Sequence, residues 1–210
     1  MIIAQNILPD GMSAKKEFCD AITCLIKQKK LKKIIETGSY MGLGTTKAIN
    51  DALVGDETVY SIEVNPKFHK EAIKNNSNSI INFLLGLSID KPSIPYDYSF
   101  DVPDNVFVDH VDSNRNLLYR QEVNHKVPDK MLLYALEKID FKPDLVILDS
   151  AGHLGYIEYK YLMKYVSNDF YLALDDTNHV KHYNTCLDLV NYDCVFETNQ
   201  GFGSKIYHIN

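Results

Sequence analysis

Three carboxylates and a histidine follow two apolar runs in the second half of this chain. Asp149 and His153 close Leu145-Val146-Ile147-Leu148-Asp149-Ser150-Ala151-Gly152-His153, and Asp175 with Asp176 close Tyr171-Leu172-Ala173-Leu174-Asp175-Asp176. Crowded acids repel one another, so a cleft that gathers these three calls for a cation to neutralise them. An all-oxygen donor set favours magnesium, calcium or manganese. Magnesium keeps coordination positions for water or substrate oxygens, which suits a site that polarises a hydroxyl group. His153, His179 and His182 lie nearby in sequence and would instead favour a softer metal. The plainer alternative makes Asp149 an ordinary strand-end residue, Asp175-Asp176 a helix cap and His153 a turn residue bonded to backbone.

A second constellation lies earlier, in Ile34-Ile35-Glu36-Thr37-Gly38-Ser39-Tyr40-Met41-Gly42-Leu43-Gly44-Thr45-Thr46. An apolar strand ends in an acid, opens into a glycine-rich turn and leads into a helix. Glycine has no side chain to block a ligand and permits positive φ, so Gly38, Gly42 and Gly44 let the backbone approach a bound nucleotide-like molecule. The next strand ends at Glu63, where such folds place a carboxylate for ribose hydroxyls. The glycine spacing is G-x-x-x-G-x-G, whereas a dinucleotide pyrophosphate calls for G-x-G-x-x-G over a helix amino terminus.

The elements that must position these residues alternate. Ser13 can cap a helix running to about Lys30, with Phe18, Ala21, Ile22, Leu25 and Ile26 as its apolar stripe. Strands are predicted at Lys33 to Glu36, Val59 to Glu63, Ile80 to Leu85, Leu145 to Asp149 and Tyr171 to Asp175. Helices are predicted at Thr45 to Leu53, Pro66 to Asn75, Asp129 to Lys138 and Tyr156 to Val166, with further elements at His182 to Val190, Cys194 to Thr198 and Lys205 to Ile209. Asn65 followed by Pro66 is a good helix start. The order implies an α/β, Rossmann-like, doubly wound and mostly parallel sheet with an antiparallel C-terminal strand and an N-terminal covering helix. Ligands bind such sheets beyond the carboxyl ends of the strands. Residues 89 to 129 interrupt the alternation between strands three and four. Their prolines and aromatics, Tyr96, Tyr98, Phe100, Phe107 and Tyr119 among them, suit a substrate-covering insertion, and left exposed they would allow a homodimer.

On these residues the chain resembles the class I S-adenosylmethionine-dependent methyltransferases, and within them the metal-dependent O-methyltransferases of the catechol type and those acting on sugars. The resemblance covers roughly residues 31 to 88 and 141 to 182. It implies that Glu36 helps to position the amino acid end of the cofactor and that Glu63 takes both ribose hydroxyls. Gly38, Ser39, Tyr40, Gly42, Gly44, Thr45, Ser88 and Asp149 complete the candidate cofactor contacts. It further implies that Asp149, Asp175 and Asp176 hold Mg2+ or another divalent cation, with His153 as base and Asp149 beside it in catalysis. The chain departs from the family at Gly86-Leu87-Ser88, where relatives often have Gly-Asp-Ser beside the adenine. The expected reaction is methyl transfer to a hydroxyl of a small molecule or sugar. The alternatives are a metal-independent enzyme acting on a nitrogen or a phosphate-linked oxygen, or a catalytically silent cofactor-binding module.

Bulk properties agree. At 210 residues the chain fits one large domain, 1 to 210. A net charge of -6 gives no general attraction to phosphate backbones, so a nucleic-acid partner is not expected. Asp149-Ser150-Ala151-Gly152 also lacks the Asn/Asp-Pro-Pro-aromatic sequence that grips a flipped base. No long uncharged apolar stretch predicts a membrane span. The four cysteines form no C-x-x-C pair, and no basic segment precedes an apolar one at the amino terminus, so a cytoplasmic location is expected.

Overall fold

In the computed structural model, residues 16–77, 79–94, 102–108, 114–167 and 169–210 are described. Ser13, with its expected cap, and the aromatics Tyr96, Tyr98 and Phe100 lie outside them. Helix α1 spans Lys16–Lys29 and buries Phe18, Ile22 and Ile26, four residues apart, on one stripe. Strand β1 (Lys33–Thr37) follows, then α2 (Thr45–Asn50), β2 (Thr58–Glu63), α3 (Pro66–Asn75) and β3 (Asn82–Leu85). After the 89–129 segment come α5 (Met131–Lys138), β4 (Leu145–Leu148), α6 (Leu154–Leu162), β5 (Phe170–Asp175), α7 (Tyr183–Asp188), β6 (Asp193–Thr198) and β7 (Ser204–Ile209). Helix α4, Asn114–Val123, lies inside that segment.

The strands form one sheet in the order β3-β2-β1-β4-β5-β7-β6. The first five run parallel, with Ile35 opposite Tyr60 on one side and Val146 on the other. Strand β7 pairs antiparallel with both β5 and β6. Successive side chains of a strand point to opposite faces, and this alternation divides the core. Ile34, Val59, Leu145 and Ile147 pack with Phe18, Ile22, Ile26, Ala48 and Ile49 from α1 and α2. Ile35, Val146 and Leu148 pack with Leu132 and Leu136 of α5, Tyr159 and Leu162 of α6, and Tyr119 and Val123 of α4. Full burial of each such side chain contributes about 1.5–3 kcal/mol, which makes the two layers the main support of the strand ends.

Most predicted elements appear, with boundary differences that have local causes. Asn65 caps α3 as expected, its side chain accepting from the Lys67 N–H at 3.0 Å. Strand β3 starts two residues late because the Ile81 N–H bonds the Ser79 hydroxyl at 3.1 Å in a turn. Helix α5 starts at Met131 because Lys130 is left-handed, with φ +62. Helix α6 begins earlier and ends earlier than predicted, directly after His153. The sequence reading lacked a short 3-10 turn at Lys91–Ser93 and helix α4, the latter because only Tyr119, Glu122 and Val123 of its described side chains are buried and they make too short a stripe to stand out.

Candidate active site

The chain reverses between β1 and β4, the point in the 3-2-1-4-5 order where a crevice opens at the carboxyl edge of the sheet. The glycine turn forms one wall. Gly38 has φ +78, and a Cβ there would sit 2.3 Å from the Asp149 carbonyl oxygen, so the β1 and β4 turns can approach only through a glycine. Gly42, with φ +71, lies against Asn76, whose amide donates to the Gly42 carbonyl at 2.9 Å. Gly44 differs from both, because a Cβ there would meet no atom within 4 Å. Ser39 is 4% exposed, and its hydroxyl has no hydrogen-bond partner among the described residues. Orphaned buried hydroxyls are rare, and this one keeps its full hydrogen-bonding capacity.

Glu36 is fully buried beneath the turn, where it accepts from the hydroxyls of Thr45, Thr46 and Ser61. Burial raises its carboxyl above the ordinary range, and the three hydroxyls oppose that rise. Thr45, expected to face the cofactor, is therefore committed to Glu36. Glu63 accepts the Tyr40 N–H at 2.7 Å and the Asn65 N–H at 2.8 Å, which ties the β2 end to the glycine turn. Tyr40 adopts φ +49 and packs its ring against Phe68 at a tilt of 57°, with centroids 4.3 Å apart. Burial first, and then neighbouring Glu122, push Glu63 up to about 8. Glu122, on α4, is pushed up to about 7, chiefly by burial. Asn65 links the two acids, since its side chain donates to Glu122 at 3.5 Å.

Across the crevice the three aspartates converge as predicted. One oxygen each from Asp149, Asp175 and Asp176 lies within 4.8 Å of the others. Asp175 is 1% exposed and accepts the Ser204 hydroxyl at 2.9 Å. Asp176 takes φ +61, an uncommon conformation for a residue with a side chain. Between them lies a group that the sequence reading missed. The Lys181 ammonium donates to Asp149 at 2.9 Å and to Asp176 at 3.0 Å, and its side chain is only 4% exposed. A lysine five residues beyond an acidic pair was the available signal.

Glu158 was also missed. It is fully buried on α6, where it accepts from Ser150 at 2.7 Å and Thr37 at 3.0 Å. Burial raises its carboxyl, and Ser88, Ser150, Thr37 and Lys181 oppose the rise. Its signal was a carboxylate on the apolar stripe between Leu154 and Leu162. Ser88 is 4% exposed with a hydroxyl that makes no hydrogen bond among the described residues, and Leu87 belongs to the core.

The histidines divide. His153 is 1% exposed, beneath the edge of Tyr119 and 6.0 Å from the His179 ring. Burial, reinforced by His179, lowers it to about 3, so it is neutral. His182 Nε2 donates to the Leu148 carbonyl at 3.0 Å and fits against Gly155, a structural part of the β4–α7 junction. Burial and Lys181 hold it down to about 3 as well. The 89–129 segment reaches this edge twice. Phe107 pairs with His179 through Val180 and packs against Phe202 at a tilt of 30°, with centroids 4.5 Å apart, while Tyr119 packs on Gly152.

No protein-family model matches the chain, and no curated protein matches it. Solved structures do. An O-methyltransferase from Bacillus cereus in complex with SAH is 12% identical, with a TM-score of 0.59 over 93% of this chain and 81% of that one. The fold is that of methyltransferases. TomG, an O-methyltransferase from Streptomyces achromogenes involved in tomaymycin synthesis and solved with SAM, has this methyltransferase fold at 13% identity. Its TM-score is 0.56, over 95% of this chain and 87% of that one. A methyltransferase from Geobacter sulfurreducens shares it at 9% identity and TM-score 0.54, over 92% and 78%. At such identities the methyltransferase fold is what is shared, and the site has to be argued from this chain's own residues.

Proposed function

We propose that the chain is an S-adenosylmethionine-dependent O-methyltransferase acting on a hydroxyl of a small molecule or sugar. The observation that carries the reading is one juxtaposition: a glycine turn with an orphaned buried hydroxyl, Ser39, faces an acid cluster across the β1–β4 crevice. Structural neighbours solved with SAM or SAH support the choice of cofactor. The residues fit such a ligand. Gly44 leaves the turn open to it, Gly42 seats the turn against Asn76 and Ala72, Ser39 offers an unused hydroxyl, and Glu63 retains acceptor capacity for ribose hydroxyls beyond its bonds to the Tyr40 and Asn65 N–H groups. Gly38, Tyr40 and Asp149 would shape the same wall. Glu36, Thr45 and Ser88 would act through the polar layer beneath it.

When bound, S-adenosylmethionine supplies a methyl group on a sulfonium, ready for in-line displacement. The chain's task is then to align an oxygen nucleophile and receive its proton. Asp149 would accept the hydrogen bond of the acceptor hydroxyl, and Asp176, whose carboxylate lies within 4.8 Å of it, would take a second, adjacent hydroxyl. His153 is the proposed proton acceptor. Its lowered basicity means that it takes the proton late, once the oxygen has gained positive charge from the new bond. The described parts of the 89–129 segment, which bring Phe107 and Tyr119 to this edge, would cover the acceptor.

A divalent cation such as Mg2+ is the neutraliser that the sequence reading assigns to Asp149, Asp175 and Asp176. The donor atoms suit it in number and chemistry. They do not suit it with Lys181 in place, because an ammonium already bonds two of the three. No step is therefore routed through a metal. The test is transfer of isotopic methyl label from S-adenosylmethionine to a panel of vicinal-diol sugars and catechols. Label should reach at least one acceptor, and Asp149→Asn should slow it roughly 100-fold or more. A protein that binds the cofactor but labels nothing would be the silent binding module instead.

A further inference from the structure

Lys181 is a cation built into the acid cluster. The segment that carries it is fixed at several points. The His179 N–H donates to the Asp176 carbonyl at 3.1 Å, the Lys181 N–H donates to His179 Nδ1 at 3.1 Å, and the Val180 N–H donates to the Phe107 carbonyl at 2.9 Å. The ammonium is thereby delivered between Asp149 and Asp176 by backbone that leaves little freedom, with the residue 3% exposed overall. Burying a lone ammonium or a lone carboxylate is costly, so the three groups hold one another in place. Asp175 accepts the Ser204 hydroxyl.

A divalent ion held by Asp149 and Asp176 would need to stand roughly 2.1–2.6 Å from their oxygens. The Lys181 nitrogen lies 2.9 and 3.0 Å from oxygens of the same two side chains, so the two cations would compete for one place and repel in this partly buried setting. We propose that Lys181 is the resident counter-cation of this site, taking the place of a dissolved divalent ion and positioning Asp149 and Asp176 for the acceptor. The consequence for catalysis rests on the methyl-transfer reading. The occupancy of the cation position does not.

The experiment is a calorimetric titration with Mn2+ at neutral pH, alongside thermal melts with and without Mn2+, on the wild-type chain and on Lys181→Met, which keeps the stem and removes the charge. The wild type should bind Mn2+ weakly and melt at an unchanged temperature. Lys181→Met should bind at least about tenfold more tightly, because its acids have lost their counter-charge, and Mn2+ should restore a lowered melting temperature. Equal binding by the two proteins, or no gain in the variant, overturns the proposal. Should Lys181→Met fail to fold even with Mn2+, the wild type decides: micromolar Mn2+ binding abolished by Asp176→Asn overturns it, and the absence of such binding upholds it. These readouts need neither cofactor nor acceptor. A failed methyl-transfer assay beside a positive Mn2+ result would remove the transferase reading and leave the cation assignment standing.

Discussion

Gly38 and Gly44 are the same residue type in one turn, yet they meet different demands. At Gly38 a Cβ would collide with the Asp149 backbone, and φ is +78, so Gly38→Ala should lower stability by about 3 kcal/mol or more, read in a denaturant melt. At Gly44 the space is open. Gly44→Ala should cost only about 1 kcal/mol, for the loss of a glycine N-cap, but bind S-adenosylhomocysteine at least about tenfold more weakly, since the added methyl projects where the ligand backbone would pass. The Glu63 carboxyl makes a second prediction through its titration. Its folded-state value of about 8 lies above the ordinary 4.5, chiefly from burial. The folded state therefore holds a proton that the unfolded state has lost, and the associated stability is complete below about 4.5 and lost as pH rises through 8. The melting temperature of Glu63→Gln relative to wild type should climb between pH 5 and pH 9. A constant offset across that range would contradict it.

The elements explain what could and could not be read in advance. Strands β1, β4 and β5 are apolar runs closed by an acid, a pattern that marks a buried parallel strand and its functional end together, so the fold and the three aspartates were legible. Lys181 was not, because its partners are 5 and 32 residues away and only the β4–β5 pairing brings Asp149 within its reach. Glu158 looked like an ordinary helix residue until Thr37 and Ser150 were seen to surround it. Helix α4 was hidden in an aromatic and proline-rich segment whose docking depends on contacts distant in sequence. Tyr119 is its anchor, 3% exposed and packed on Gly152 rather than presented for a dimer. Tyr119→Ala should cost about 3 kcal/mol and raise amide hydrogen exchange across Asn114–Val123, whereas exchange unchanged there would show that the helix docks without it.

Across the whole molecule, one sheet with helices on both faces gathers the working residues at a single edge. The sharing of this architecture with methyltransferase structures at about a tenth identity follows from what specifies it: alternation, caps and glycine turns, which many sequences can supply. Among the described residues no helix is long and apolar enough to cross a membrane. If the crevice binds the cofactor product, S-adenosylhomocysteine at 100 times its dissociation constant should stabilise the chain by about 2.7 kcal/mol, a rise of roughly 5–10 °C in melting temperature. The most direct measurement is a crystal structure grown with S-adenosylhomocysteine. The ligand should lie in the β1–β4 crevice, its ribose on Glu63, its sulfur toward Asp149, and Lys181 still bonded to Asp149 and Asp176. A ligand seated elsewhere, or a crevice that remains empty at saturating concentration, would contradict the account.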